Sequence, residues 1–211
     1  MSANASEAER RALICEFLGQ FYERGWVAGT GGGICAALPD QTILMAPSGV
    51  HKERVVPADL FVVDRRGAVV RMPEDRDLRL SECSGIFCAV MERRKAGSVM
   101  HSHALSAVLA ADLARDTDRL TIRELEMLKG IRGCRNTEVH ALPVIDNKPE
   151  EPELVGEVER VLDHPDFVAA SCILVRDHGA YLWGTDLWET KRHAEVYHFL
   201  FDAVTARWRL R

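Results

Sequence analysis

The sequence predicts one α/β domain, residues 1–211, in which a central, mainly antiparallel β-sheet is flanked by helices. Two pairs of short apolar runs are each joined by turn residues, which is typical of β-hairpins. The first pair is 33–38 with 42–46, and the second is 60–64 with 68–71. Longer stretches carry apolar residues at helical spacing. Since no repeat, low-complexity tract or linker interrupts these elements, we expect a single domain.

The helices are predicted from their apolar stripes. Residues 6–24 place Leu13, Phe17 and Phe21 on one face, and Ser6 with Glu9 matches a capping box. Residues 81–94, 105–113, 149–163 and 187–208 have helical patterns as well, and the prolines and acids from residue 149 onward are typical of a helix start.

The remaining strands are predicted from short apolar or β-branched runs. These are residues 98–103, 139–144, 171–175 and 181–183. The segment 118–128 is interpreted as helical, with Glu124 and Glu126 on a solvated face.

Bulk composition excludes some classes of function. The 211 residues carry a net charge of −5, which gives no support for a nucleic-acid or anionic-membrane partner. The six cysteines form no Cys-x-x-Cys pair, which favours reduced thiols. The first eleven residues are polar, and no apolar run approaches the length of a membrane span. We therefore expect a cytoplasmic protein.

Two histidines stand two residues apart at the end of the predicted strand 98–103. Alternate side chains of a strand share one face, so His101 and His103 point the same way and can hold one cation. The alternative is that one of them caps the next helix and the other packs. His178, in a His-Gly turn between two apolar strands, is a candidate third ligand. His193 and His198 do not have metalloprotease spacing and are interpreted as surface or packing residues.

Three segments are candidates for anion binding. The glycine-rich run 29–33 matches neither nucleotide-binding fingerprint, and a tight turn is its simpler interpretation. The Ser48-Gly49 turn, with Lys52 nearby, can hold a phosphate or can be only a turn. Ser81 lies at a predicted helix start, which is either an anion site or an N-cap.

Several motifs together resemble the class II aldolase/adducin family along the full chain. They are Gly25-Trp26-Val27 with 29–34, Ala46-Pro47-Ser48-Gly49-Val50 with Lys52-Glu53, Ser81-x-Cys83, His101-x-His103, Glu126-Met127-x-Lys129-Gly130-Ile131, Pro149-Glu150-Glu151, and Leu174-Val175-Arg176-x-His178-Gly179 with Tyr181, Trp183 and Gly184. The resemblance implies a class II aldolase-like domain that forms homotetramers. It also implies a lyase that acts on a sugar phosphate, most similar to the dehydratase branch of the family.

The resemblance also implies roles for individual residues. His101, His103 and His178 are expected to bind one Zn²⁺, and Glu126 matches the family's acid/base residue. Cys83 matches a substrate-contacting position. Ser48 and Gly49 match the phosphate-binding turn, with Gly31, Gly32 and Ser81 nearby.

Some alternatives remain open at the level of sequence. Glu82 is a second acid/base group, a further zinc contact, or only a charge at a helix N-terminus, which the helix dipole favours. A sugar-phosphate aldolase or 4-epimerase is the first alternative activity, although the glycine-rich loop lacks the asparagine of typical aldolases. A non-catalytic binding module, as in the adducin branch, is the second.

Overall fold

The computed structural model describes residues 5–210, and its regular elements fall into helices and short strands. The helices are α1 (Glu7–Glu23), α2 (Ser84–Arg94), α3 (Leu105–Asp112), α4 (Val155–Asp163) and α5 (Leu187–Arg209). The strands are β1 (Gly33–Ala37), β2 (Ile43–Met45), β3 (Pro47–Ser48), β4 (Phe61–Val63), β5 (Val69–Arg71), β6 (Arg79–Leu80), β7 (Ser98–Ser102), β8 (Arg119–Ile122), β9 (His140–Ile145), β10 (Cys172–Val175) and β11 (Gly179–Gly184).

Nine of these strands form one sheet in the order β5-β4-β2-β1-β7-β11-β10-β9-β8. Its neighbouring strands are antiparallel except β9 and β10, which are parallel. The short strands β3 and β6 pair separately, with Ser48 opposite Arg79. The predicted α/β fold with a mainly antiparallel sheet is confirmed, and both predicted hairpins form.

Helix α1 forms for the reasons its sequence suggested. The Ser6 side chain accepts a hydrogen bond from the Glu9 backbone, and the Glu9 carboxylate accepts one from the Ser6 backbone at 2.7 Å. The stripe that it buries consists of Ile14, Phe17, Leu18 and Phe21, all fully buried. Each such side chain contributes roughly 1.5–3 kcal/mol through the removal of apolar surface from water.

The two faces of the sheet have different roles, and β7 shows the division. Neighbouring residues of a strand point to opposite faces. On one face Ser102 contacts His198 of α5. On the other, His101 stacks on Tyr181 of β11, and Phe87 of α2 packs against the same tyrosine. Helix α5 therefore covers the face opposite to the His101 ring.

Two elements differ from the sequence prediction. The segment predicted as helix from residue 118 is instead the edge strand β8, whose four residues alternate in burial, followed by a turn at Glu124 (φ +60°). Helix α2 begins at Ser84, three residues later than predicted, because the Ser81 hydroxyl accepts the Cys83 backbone N–H at 3.3 Å and closes a turn before the helix. Within residues 5–210, none of the helices combines the length and the apolar character needed to cross a bilayer.

Candidate metal centre

His101 lies near the end of β7 and is fully buried. Its Nδ1 lies 3.1 Å from the Ala180 carbonyl oxygen, so Nδ1 carries the proton and donates it. The Tyr181 ring stacks on the imidazole at 4.1 Å between centroids, with the planes only 5° apart. The ring is thus fixed in one orientation, and its Nε2 presents a lone pair.

His178 follows β10 in the turn before β11. Its Nδ1 lies 2.9 Å from the Asn147 Oδ1, an acceptor that selects the same tautomer as in His101. Gly179 lets the two strands approach, because a Cβ at this position would lie 2.0 Å from the Ser102 carbonyl oxygen. This close approach places the His178 imidazole over the end of β7.

His103 lies just past β7, where its backbone N–H donates to the Trp26 carbonyl at 2.8 Å. Its ring packs on the glycine-rich loop. A Cβ on Gly31 would lie 2.4 Å from the His103 Nδ1, and one on Gly32 would lie 2.7 Å from the His101 carbonyl oxygen. The absence of side chains at Gly31 and Gly32 therefore lets the loop pack directly against the two histidines and position them.

The three Nε2 atoms converge. His103 and His101 are 2.8 Å apart, His101 and His178 are 3.0 Å apart, and His178 and His103 are 3.2 Å apart. With Nδ1 protonated in two of the rings, lone pairs face each other at contact distance, an arrangement that repels unless a cation lies between them. The donor set therefore fits a borderline metal such as zinc.

The histidines are held neutral, as metal binding requires. Burial lowers the pKa of His101, and the neighbouring His103 and His178 lower it further. Burial also lowers the pKa of His103 to about 4 and lowers that of His178. Three uncharged imidazoles are consequently available at neutral pH.

Glu151 completes the cluster, and the sequence prediction assigned it no role. Its Oε1 lies 3.8 Å from the His101 Nε2 and 3.9 Å from the His178 Nε2, and its Oε2 accepts from the Tyr181 hydroxyl at 3.1 Å. One ligand atom from each of His101, His103, Glu151 and His178 lies within 4.8 Å of the others, and this is the single such group of metal-ligating side chains found between residues 5 and 210. The Pro149-Glu150-Glu151 motif contained the signal, but no spacing rule links it to the histidines.

Cys83 lies beside this cluster, directly before α2, and is buried. Burial raises the pKa of its thiol well above the ordinary value, and the nearby Glu151 carboxylate raises it further. The side chain is therefore a neutral thiol at physiological pH, which suits contact with a substrate better than nucleophilic attack.

The residues predicted to bind phosphate lie on two loops that Lys52 connects. Lys52 is buried, and its ammonium donates to the Thr30 carbonyl at 2.8 Å and to the Val50 carbonyl at 3.1 Å. Ser48 ends β3 and Gly49 begins the second loop, where a Cβ on Gly49 (φ +68°) would meet the Arg79 guanidinium at 3.6 Å. Lys52 and Arg79 thus supply positive charge that the overall charge of the chain does not.

Two predicted acidic residues lie outside the cluster. Glu126 begins a short 3-10 segment, Glu126–Gly130, and its side chain is 72% exposed. Its carboxylate accepts hydrogen bonds from Lys129 at 2.7 Å and Asn136 at 2.6 Å. Since this segment packs on α5, it lies on the face of the sheet opposite to the His101 ring. Glu82 is exposed at the turn before α2.

A mainly antiparallel sheet with a three-histidine centre at the end of a strand defines the class of protein. The chain belongs to the class II aldolase and adducin family, whose model, described as "Class II Aldolase and Adducin N-terminal domain", matches residues 12–205. This confirms the resemblance that the sequence motifs indicated.

Curated relatives are more specific. The chain is 39% identical over 204 residues to a Bos taurus protein named "Methylthioribulose-1-phosphate dehydratase", and the match covers 93% of this chain and 82% of that protein. It is 34% identical over 208 residues to an Arabidopsis thaliana protein named "Probable bifunctional methylthioribulose-1-phosphate dehydratase/enolase-phosphatase E1", covering 93% of this chain and 41% of the relative. The chain therefore spans about two fifths of the length of such bifunctional relatives.

Solved structures share the fold. YgbL from Klebsiella pneumoniae, described as a putative aldolase/epimerase/decarboxylase, has a TM-score of 0.80 at 16% identity, covering 96% of this chain and 91% of its own. A structure of L-fuculose 1-phosphate aldolase has a TM-score of 0.78 at 15% identity, covering 99% of this chain and 91% of its own. At this level of identity the likeness concerns the fold alone.

Proposed function

We propose that this protein is a zinc-dependent hydro-lyase of methionine salvage. It dehydrates 5-methylthioribulose 1-phosphate to 2,3-diketo-5-methylthiopentyl 1-phosphate. The convergence of the three neutral imidazoles carries the proposal, because it forms a set of ligands suited to a metal ion. The substrate is proposed from the identity of 39% to the bovine protein of that name.

His101, His103 and His178 would hold the metal. Three histidines leave coordination positions for substrate oxygens, which is the usual composition of a catalytic zinc site. When bound, the cation would supply Lewis-acid polarisation of the C2 carbonyl, which makes the C3 proton more acidic. Asn147 and the Ala180 carbonyl would keep the His178 and His101 lone pairs aimed at the cation.

Glu126 is the proposed base that removes the C3 proton. The C4–O bond then breaks, the hydroxyl leaves with a proton as water, and the resulting enol tautomerises to the diketone. Because Glu126 is exposed on the opposite side of the sheet, this role requires a neighbouring subunit that presents its Glu126 to the site. We accordingly propose a homotetramer with sites near subunit interfaces, located in the cytoplasm.

The substrate is proposed to lie between the two loops and the metal centre. Ser48 and Gly49 would hold the phosphate, with the Gly31-Gly32 backbone and the turn at Ser81 nearby. The neutral Cys83 thiol would contact the methylthio end or the sugar. Glu82 is proposed only as a charge at the start of α2, because it is exposed and lies outside the ligand cluster.

The test is a turnover assay on purified, zinc-loaded protein, with the diketone followed by its near-ultraviolet absorbance. We expect Glu126→Gln to lose at least about a hundredfold in kcat, the usual effect of removing a general base. Glu124→Gln, an exposed neighbour, should remain as active as the wild type. Full activity in Glu126→Gln would contradict the assignment of the base. Retro-aldol or epimerised products would favour the alternative enzymes, and a metal-free, inactive protein would favour a binding module.

A further inference from the structure

The carboxylate of Glu151 reaches two different parts of the site at once. Its Oε1 faces the Nε2 atoms of His101 and His178 at 3.8 and 3.9 Å, whereas its Oε2 is held by the Tyr181 hydroxyl at 3.1 Å. The side chain is only 19% exposed, so the carboxylate has been placed next to the lone pairs of the histidines with little compensation from water. The Lys52 ammonium interacts electrostatically with this carboxylate, and a cation among the histidine nitrogens would stabilise it further.

Tyr181 links the carboxylate to the histidines. Its ring stacks on His101 within 4.1 Å, and its backbone lies opposite His101 in the register of β7 and β11. The same side chain therefore fixes the plane of one imidazole and the orientation of the carboxylate. Four residues before Glu151, Asn147 accepts from His178, so one short segment contacts the site twice.

We propose that Glu151 is a fourth, exchangeable ligand of the metal and that Tyr181 is the positioning residue that aims it. The inference rests on the proposed function, which supplies the metal. Ligand atoms in a tetrahedral zinc site lie about 2.0–2.1 Å from the ion and hence about 3.3 Å from one another. The histidine nitrogens, 2.8–3.2 Å apart, are slightly closer than this. The Glu151 oxygen is slightly farther, at 3.8 Å from the His101 Nε2 and 3.9 Å from the His178 Nε2.

The greater distance of the Glu151 oxygen makes the fourth ligand easier to replace than the three histidines. The three imidazoles form the permanent part of the centre, since their rings are fixed by hydrogen bonds and packing. The carboxylate is within reach of the ion but held back by the Tyr181 hydroxyl, so a substrate oxygen can replace it without unfolding the site. Glu151 would then occupy the fourth coordination position in the absence of substrate, and a substrate oxygen would displace it when the substrate binds.

Cobalt substitution tests this without relying on activity. Co²⁺ replaces zinc in such sites and reports its ligands through visible absorption bands. We expect Glu151→Gln and Glu151→Ala to shift these bands and to weaken Co²⁺ binding at least about tenfold in competition with a chelator. Tyr181→Phe keeps the ring but removes the hydroxyl, and should weaken binding several-fold with a smaller spectral change. Glu150→Gln, at an exposed neighbouring position, should match the wild type.

The outcomes separate the inference from the function on which it rests. An unchanged spectrum and affinity in Glu151→Gln, in a protein whose wild type binds Co²⁺ and dehydrates the substrate, overturns the fourth-ligand role and leaves the proposed function intact. A wild type that binds no cation overturns both. Should the Glu151 variants fail to fold, an unchanged spectrum in Tyr181→Phe overturns the positioning role and with it the aimed carboxylate.

Discussion

Gly31→Ala tests whether the glycine-rich loop positions a metal ligand. The added Cβ would lie 2.4 Å from the His103 Nδ1 and 2.8 Å from its Cε1, about 1 Å inside van der Waals contact. The His103 ring has little freedom to yield, because its Nε2 lies among nitrogens 2.8 and 3.2 Å away. Either the ring or the loop must therefore shift by about 1 Å.

A ligand displaced by this distance no longer matches the other two nitrogens. We expect zinc affinity to fall by about ten- to hundredfold, the range found when the support of a ligand is lost. The free energy of unfolding of the metal-free protein should change much less, because Gly31 lies on a loop and has no positive φ.

The assay is zinc competition with a chromogenic chelator, together with urea unfolding in EDTA. Gly19→Ala is the matched control, since a Cβ there meets no atom within 4 Å and alanine favours the helix α1. Wild-type zinc affinity in a folded Gly31→Ala protein would refute the role of the loop.

Three further predictions concern buried groups. Lys52→Met removes the ammonium that joins the Thr30 and Val50 carbonyls, so we expect the KM for the phosphorylated substrate to rise about ten- to hundredfold with a smaller change in kcat; an unchanged KM would contradict this. Burial lowers the pKa of His198 to about 4, so the unfolded chain takes up a proton near pH 6.5 that the folded chain does not, and stability falls as the pH drops from about 6.5 to about 4. In EDTA, the free energy of unfolding of His198→Gln should therefore fall by about 2 kcal/mol less than that of the wild type between pH 7.5 and 5, as measured by urea unfolding. The same pH dependence of the free energy of unfolding in both proteins would contradict this prediction. Cys83 should resist alkylation by iodoacetamide at pH 8, as followed by peptide mass spectrometry, because burial raises the pKa of its thiol; rapid modification would show an accessible thiolate.

Strand periodicity accounts for the direction of the His101 ring, because a side-chain period of two is a local property of the chain. His103 lies just past β7, and its ring is placed by the glycine-rich loop. The third histidine needed more than spacing, since His178 approaches only through the pairing of β7 with β11. In the sequence, the His-Gly turn made His178 a candidate third ligand, and the family resemblance implied that role.

Glu151 shows what local patterns miss. It is 48 residues beyond His103, on the 3-10 segment Glu151–Leu154, and it enters the site because the Tyr181 hydroxyl binds it. No rule of periodicity encodes such a contact. The helix predicted over 118–128 failed for a related reason: the strand β8 has only four residues, and its pairing with β9 outweighs a weak helical pattern.

The most direct test of the metal centre is a zinc titration of the metal-stripped protein, with diketone formation from 5-methylthioribulose 1-phosphate as the readout. The three-histidine centre predicts no turnover at first, activity that rises in proportion to added zinc, and saturation at one zinc per chain. The double variant His101→Ala/His103→Ala should bind no stoichiometric zinc and remain inactive. Full turnover by the stripped protein in the presence of a chelator, or stoichiometric zinc in the double variant, would contradict it.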